Sequence, residues 1–160
     1  MTALNKTVRR GFTQIDIMIA VLILVISILG TSVYQYQAEL NAHKADVQAT
    51  AVRTAALLCV GWSGEDGVTA FNPVSTFGAD MSITASSGPA VPSGFTSLGS
   101  YRIVIDDFYY FATLSYKDLS GAKVRALNVV ISWERACHGA KELTAANATY
   151  QMTTYVRKPT

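Results

Sequence analysis

One long apolar segment near the N-terminus limits what this chain can fold into. Residues 17–33 contain no charged side chain, and most of them are Ile, Leu, Val or Met. Counted from Phe12, the segment would form a helix about 33 Å long at a rise of ~1.5 Å per residue, while a bilayer core is ~30 Å thick. We therefore predict a transmembrane helix over residues 12–33.

The charged residues beside this segment predict its orientation. Lys6, Arg9 and Arg10 precede it, and the first eleven positions hold no acidic residue. Because basic flanks stay on the cytoplasmic side, we expect a cytoplasmic N-terminus and an extracytoplasmic remainder. Without these three residues the chain has ten basic and eleven acidic side chains, a formal charge of −1. This balance argues against a nucleic-acid-binding protein.

Other interpretations of the apolar segment are a buried core helix, a secretory signal peptide and a simple signal anchor. A core helix does not need so long an uncharged stretch, and residues 27–30 match a signal-peptidase site poorly. A signal anchor explains the span but not Asp16, which lies inside the apolar segment. A carboxylate costs about 2.5 kcal/mol or more at the centre of a membrane helix, so such residues are usually functional.

The residues around Asp16 resemble the class III signal of type IV prepilins and of the pseudopilins of type II secretion. That signal has a short basic leader ending in glycine, then Phe-Thr, an apolar residue, an acidic fifth residue and an uninterrupted apolar helix. The matching positions are Gly11, Phe12, Thr13, Ile15 and Asp16. The chain departs from the pattern at Gln14, where Leu is usual, and at Asp16, which replaces Glu.

The resemblance implies that a membrane-embedded prepilin peptidase removes residues 1–11 by cleavage after Gly11 and methylates the new amine of Phe12. It also implies that this amine meets the Asp16 carboxylate of a neighbouring subunit, since two charges in an apolar bundle are tolerated as a pair. Asp16 would then set the register of assembly, as buried polar residues do in coiled coils. The alternative is a carboxylate that only reaches the lipid headgroups.

Residues 34–160 are predicted to form an extracytoplasmic head that begins with a continuation of the helix. Apolar residues recur at spacings of three, four or seven as far as Trp62, and no proline occurs before Pro73. We therefore expect an amphipathic helix over residues 34–62. Residues 63–100 are rich in Gly, Pro, Ser and Thr, which predicts a loop region with at most a short strand near residues 81–85.

Residues 101–160 have the pattern of an antiparallel sheet. Residues 101–105, 108–116 and 150–156 are rich in aromatic and β-branched side chains, and a turn is predicted at residues 117–121. Between them, residues 127, 129, 131 and 133 are apolar and share one face of a strand. A sheet facing an amphipathic helix is an α+β fold, which the pilin resemblance also implies. The strand and membrane-helix sequences are most similar to PilV-type minor pilins and to I-type minor pseudopilins.

The chain has two cysteines, Cys59 and Cys137, which would lie in an oxidising compartment if the head is extracytoplasmic. We expect them to form a disulfide between helix and sheet, and two free thiols are the alternative. No metal-binding, nucleotide-binding or hydrolase motif occurs, and the adjacent Asp106 and Asp107 would point to opposite faces of a strand. We therefore expect no enzyme activity, no metal and no cofactor.

The sequence thus predicts a minor type IV pilin, a structural subunit held in the inner membrane and then incorporated in or at the tip of a pilus, where it would prime assembly. Its expected partners are the prepilin peptidase, other pilins and the inner membrane. The alternatives are an I-type minor pseudopilin of a type II secretion system, an adhesive or DNA-uptake pilin and, least consistent with the residues, a membrane-anchored periplasmic enzyme.

Overall fold

A computed structural model describes residues 13–121, 123–134 and 147–158. The described residues form a long helix, a short helix and five strands. In chain order these are α1 (Gln14–Gly64), α2 (Pro73–Phe77), β1 (Ser82–Ala85), β2 (Thr96–Ile105), β3 (Phe108–Asp118), β4 (Val124–Trp133) and β5 (Ala148–Arg157). The chain divides into two units, Met1–Ala42 and His43–Thr160, which we call the N-terminal segment and the head.

The helix α1 has 51 residues and is continuous because no proline interrupts it. It ends in a Schellman motif, in which the Gly67 amide donates to the Trp62 carbonyl at 3.0 Å and the Asp66 amide to the Ser63 carbonyl at 3.1 Å. Asp66 takes the left-handed conformation that this motif requires, with φ of 55°. The helix therefore ends slightly later than the sequence predicts.

The five strands form one antiparallel sheet in the order β1-β2-β3-β4-β5, so that neighbours in sequence are neighbours in the sheet. A two-residue turn joins β2 to β3, since Ile105 pairs directly with Phe108. Its residues, Asp106 and Asp107, have φ of 49° and 64°, as a type I′ turn requires. The turn between β3 and β4 contains Gly121 at φ of 82°, where an L side chain would be strained.

The core of the head lies between α1 and one face of the sheet. Its buried apolar side chains come from both layers and include Val47, Ala51, Leu58 and Trp62 of α1 and Ile103, Tyr110, Leu114, Leu127, Val129 and Ile131 of the sheet. Burying one large apolar side chain stabilises a fold by about 1.5–3 kcal/mol. The amphipathic helix and the apolar face of β4 therefore meet as the sequence predicts, in an α+β arrangement.

The opposite face of the sheet is also buried in part, which the sequence analysis does not predict. Phe111, Thr113 and Asn128 lie on this face and are at most 2% exposed. The hydroxyl of Thr113 donates to the Pro89 carbonyl at 2.8 Å, and Gly88 lies directly against the same hydroxyl. The segment before β2 thus covers Thr113 and accepts its hydroxyl proton, whereas the Asn128 amide donates to Met152 and Thr153 of β5.

The predicted loop region, residues 63–100, contains more regular structure than expected. It includes the short helix α2, whose first turn is capped by the Asn72 side chain accepting from the Val74 amide at 3.1 Å. It also includes β1, close to the position predicted for a short strand, and the first residues of β2. The start of β2 carries a register shift between Ser97 and Gly99, and this irregularity removes the alternation by which strands are recognised in a sequence.

Candidate functional site

The candidate site is the N-terminal segment of α1, whose side chains are exposed over its whole apolar length. The large apolar side chains from Ile15 to Val33 are 46–67% exposed. The helix is long and apolar enough near its N-terminus to cross a membrane. A contiguous exposed apolar surface of this size marks a site of interaction with a membrane or with another protein.

The first turn of α1 is closed by a capping box made by Thr13 and Asp16. The Asp16 carboxylate oxygen Oδ2 accepts from the Thr13 amide at 3.0 Å and from the Thr13 hydroxyl at 2.6 Å. In return, the Asp16 amide donates to the Thr13 hydroxyl oxygen at 3.3 Å. These bonds satisfy backbone donors that a helix N-terminus leaves open, and the negative charge lies at the positive end of the helix dipole.

This geometry gives Asp16 a partner within its own chain. The sequence analysis assigns its charge to the Phe12 amine of a neighbouring subunit, and that contact stays a prediction because Gly11 and Phe12 lie outside the described residues. The two interactions are compatible. Both Thr13 donors bind Oδ2, whereas Oδ1 of Asp16 accepts no hydrogen bond from the described residues.

Inside the apolar segment, three hydroxyl side chains are bonded to the helix itself. Ser27 donates to the Ile23 carbonyl at 2.7 Å, Thr31 to the Ile28 carbonyl at 2.9 Å, and Ser32 to the same carbonyl at 2.9 Å. Backbone carbonyls of the same helix therefore satisfy all three hydroxyls. Because the hydroxyls need no water, they do not prevent the helix from lying in hydrocarbon.

Tyr34 and Tyr36 follow the apolar residues and are 75% and 61% exposed. The next charged residue is Glu39. Tyrosine is enriched where a membrane helix leaves the hydrocarbon, because its ring is apolar and its hydroxyl is polar. If the segment spans a membrane, these two side chains would mark its end a few residues beyond the predicted boundary at residue 33.

The head contains a small cleft of about 150 Å³ between α1 and the β2–β3 turn. Its lining includes His43 and Asp46 of α1, Asp106 of the turn, and Phe108 and Tyr110 of β3. The His43 ring lies edge-on to the Phe108 ring, with centroids 5.3 Å apart. Asp106 and Asp107 form the turn itself, so they are not strand residues on opposite faces as the sequence analysis assumes.

One of the two cysteines of the predicted disulfide lies among the described residues. Cys59 is buried in the core at 1% exposure and forms no disulfide within the described part of the chain, and burial raises the pKa of its thiol. Its expected partner, Cys137, lies outside the described residues. The pairing of Cys59 with Cys137 therefore stays a prediction.

No group of three or more His, Cys, Asp or Glu side chains placed to hold a metal ion occurs within residues 13–121, 123–134 and 147–158. The described residues therefore supply no metal centre to which a function could be assigned.

Two features of the structure were missed by the sequence analysis. The first is Thr13 as the helix cap, although the spacing Thr-x-x-Asp from Thr13 to Asp16 is itself a capping-box signal. The second is an ion-pair network around Asp118, which accepts from Arg125 at 2.6 Å and from Lys158 at 2.8 Å. Nothing in the sequence signals this network, because Lys158 reaches Asp118 only once β4 and β5 have paired.

Comparison of the chain with protein-family models, with curated proteins and with solved structures finds no match.

Proposed function

We propose that the chain is a minor pilin of the type IV class, a structural subunit rather than an enzyme. Residues 1–11 would be a leader removed by a prepilin peptidase, and Phe12 would become the methylated N-terminus. The apolar segment would hold the subunit in the inner membrane, with its head in the periplasm. After assembly, the same segment would pack against other subunits in a fibre.

The observation that carries this proposal is the pairing of an exposed apolar helix with a single carboxylate in its first turn. An acidic residue inside an apolar segment costs free energy when it lies in a membrane, and the bonds to Thr13 account for only one oxygen of the Asp16 carboxylate. In the capping box only Oδ2 of Asp16 accepts hydrogen bonds from the described residues, so Oδ1 is available to a further donor. A neighbouring subunit's Phe12 amine would find there an anion in apolar surroundings, where an ion pair is strongest.

The head supports the same proposal. The second half of α1 packs on a five-stranded antiparallel meander, which is the arrangement that the pilin resemblance implies. The helix is continuous between the two units.

Two variants test the assembly role of Asp16 in cells that make the fibre. Asp16→Ala should be cleaved and methylated normally but remain in the membrane fraction, because the Phe12 amine of the neighbour loses its partner. Asp16→Glu is the matched control and should enter the fibre at least as well as the native chain, since it keeps the charge. Incorporation of Asp16→Ala at the native level would contradict the proposed role.

Gly11→Ala tests the processing step separately. The variant should keep residues 1–11 and run at a correspondingly higher mass. Normal trimming of this variant would show that cleavage does not occur after Gly11.

The main alternative is an I-type minor pseudopilin of a type II secretion system, which would have the same leader, helix and head. The two are distinguished by location, because a pilus subunit is recovered in fibres sheared from the cell surface and a pseudopilin stays in the envelope.

The exposed β2–β3 turn and the cleft beside it would be the parts of the head available to a ligand in an adhesive or DNA-uptake pilin.

A further inference from the structure

The cleft beside the β2–β3 turn is large enough to hold a small ligand. It encloses about 150 Å³ between α1 and the sheet, and its lining residues all belong to the head. An apolar cavity of ~150 Å³ in a protein is large enough to bind benzene. The cleft therefore has room for a group of about six non-hydrogen atoms.

The floor of the cleft is apolar and tightly packed. Val47 of α1 and Tyr110 of β3 are 4% and 2% exposed, and Ile105 and Phe108 are half-buried beside them. The Tyr110 hydroxyl donates to the Val47 carbonyl at 3.4 Å, so the helix and the sheet are joined at the floor. A polar group placed there would lose its hydration without gaining enough partners. The floor therefore favours an apolar group.

The rim of the cleft is acidic. Asp46 of α1 and Asp106 of the turn both line it, and both side chains are exposed. No hydrogen bond or ion pair engages either carboxylate among the described residues. Two like charges that border the same space repel each other, and a cation bound between them would offset that repulsion.

The other described charges at this end of the sheet leave the rim negative. Lys44 does not line the cleft, since it lies about 100° and 160° around the helix from His43 and Asp46 at 3.6 residues per turn. Asp107 is the second residue of the turn, and Asp80 precedes β1, whose first residue pairs with β2 close to that turn. The His43 imidazole is the basic group that lines the rim, where it lies edge-on to the Phe108 ring.

We propose that the cleft binds a primary alkylammonium ion, with its apolar group on the floor and its ammonium group at the rim. An ammonium group has three donors and no acceptor, so it can bond to both Asp46 and Asp106. The volume limits the apolar group to about four to six carbon atoms. A nucleic acid or another anion would be repelled by the same two carboxylates.

The inference goes beyond the pilin proposal and does not depend on it, because every residue that lines the cleft belongs to the head. Two sources share the required chemistry. One is a free amine, and the other is the N-terminus of a polypeptide whose first residue is apolar. They differ at the carbon next to the ammonium group, which carries a carbonyl group in a polypeptide.

Titration of the isotope-labelled full chain in neutral detergent micelles with isopentylammonium tests the site. The backbone amides of Asp46, Thr50, Asp106 and Phe108 should change their NMR shifts together and saturate along one binding curve. Methylammonium lacks the apolar group, and 3-methylbutan-1-ol lacks the charge. Each should bind at least about tenfold more weakly, because it loses either the buried carbon atoms or the ion pairs.

Charge variants identify the groups responsible. Asp106→Asn should weaken the binding of isopentylammonium about two- to fivefold, as loss of an exposed ion pair does, and Asp46→Asn should weaken it by a similar factor. Asp107→Asn is the matched control, because Asp107 belongs to the same turn but does not line the cleft. Asparagine adopts the positive φ of both turn positions readily, so the turn variants should keep the fold.

Leucinamide distinguishes the two sources, because it is isopentylammonium with a carboxamide on the carbon next to the amine. At pH 7 both amines are largely protonated. Binding of leucinamide at least as tight as that of isopentylammonium would assign the cleft to polypeptide N-termini, and weaker binding would assign it to free amines.

Three results would overturn the inference. The first is the absence of any shift at the cleft amides. The second is equal binding of isopentylammonium and methylammonium, and the third is an equal effect of Asp106→Asn and Asp107→Asn. In the last two cases the cleft would act only as part of a negative surface. None of these results bears on the pilin proposal, which the N-terminus of the native chain tests.

Discussion

At the scale of single residues, the carboxylate of Asp16 has one observed role in capping α1 and one proposed role in assembly. Its Oδ2 closes the first turn of α1 through Thr13, and the proposed contact with a neighbouring amine requires its other oxygen. The resemblance to prepilins predicts the contact with a neighbouring amine, whereas the capping bonds to Thr13 were not predicted. Both need a carboxylate within one turn of the helix start, which is a physical reason for an acidic residue at this position.

The capping box predicts that Thr13→Val loosens the start of α1. Valine keeps the shape of threonine but cannot bond to Asp16, and loss of an N-cap costs about 1 kcal/mol. The amides of the first turn should then exchange about five times faster in the mature chain in detergent micelles. Thr13→Ser, which keeps the hydroxyl, should exchange like the native chain, and equal rates for Thr13→Val would show that the cap does not stabilise the helix.

Asp118 predicts a pH dependence of stability for the head. Hydrogen bonds from Arg125 and Lys158 hold the pKa of this carboxyl well below its usual range. Its contribution is therefore complete above the unfolded pKa of about 3.9 and is lost as the pH falls below that value toward the folded pKa. The thermal midpoint of Asp118→Asn should lie below that of the native chain at pH 7, and the difference should shrink at pH 2.

If the thermal midpoints of Asp118→Asn and the native chain differ by the same amount at pH 7 and at pH 2, the ion pairs of Asp118 are not the cause of the difference. Asp80→Asn is the matched control, because Asp80 is exposed and forms no ion pair among the described residues. Its midpoint should follow that of the native chain at both pH values.

At the scale of elements, the sequence predicts the helix and the strand faces that are set by local periodicity. The helix follows from apolar spacing without proline, and Leu127 and Ile131 mark the apolar face of β4. The start of β2 was missed because Ser97 and Gly99 carry no strand pattern and their pairing with β3 is long-range. The burial of Thr113 was missed for a similar reason, since it depends on a loop that returns across the sheet.

The end of α1 predicts opposite effects for two glycines. A Cβ on Gly67 would lie 2.6 Å from Cγ2 of Val156 and 3.1 Å from Cδ2 of Leu127, and its φ is 63°. Gly67→Ala should therefore lower the free energy of unfolding by about 1–3 kcal/mol. Gly64 is helical with nothing within 4 Å of its Cβ position, so Gly64→Ala should raise it by up to about 1 kcal/mol.

Denaturant unfolding of both variants, monitored by tryptophan fluorescence in micelles, measures these changes. Trp62 reports on this region because its indole donates to the Val68 carbonyl at 2.8 Å. A Gly67→Ala variant as stable as Gly64→Ala would show that the helix end can move away from the sheet.

At the scale of the whole molecule, the chain joins an apolar helix with exposed side chains to a head with its own core. A head that needed only to be soluble would not require the exposed apolar residues of α1 between Ile15 and Val33, and a membrane anchor would not require apolar residues of the same helix in the core of a head. The composition of the sequence predicts this division into an apolar segment and a head. It does not reveal the ion pairs of Asp118, because strand pairing brings Arg125 and Lys158 to this carboxylate.

The N-terminus of the protein isolated from its native membrane tests the central claim most directly. Intact mass and N-terminal sequencing should show a chain that begins at methylated Phe12 and retains the whole apolar segment with Asp16. A chain that keeps Met1 and its basic residues, or one cut after the apolar segment, would contradict it.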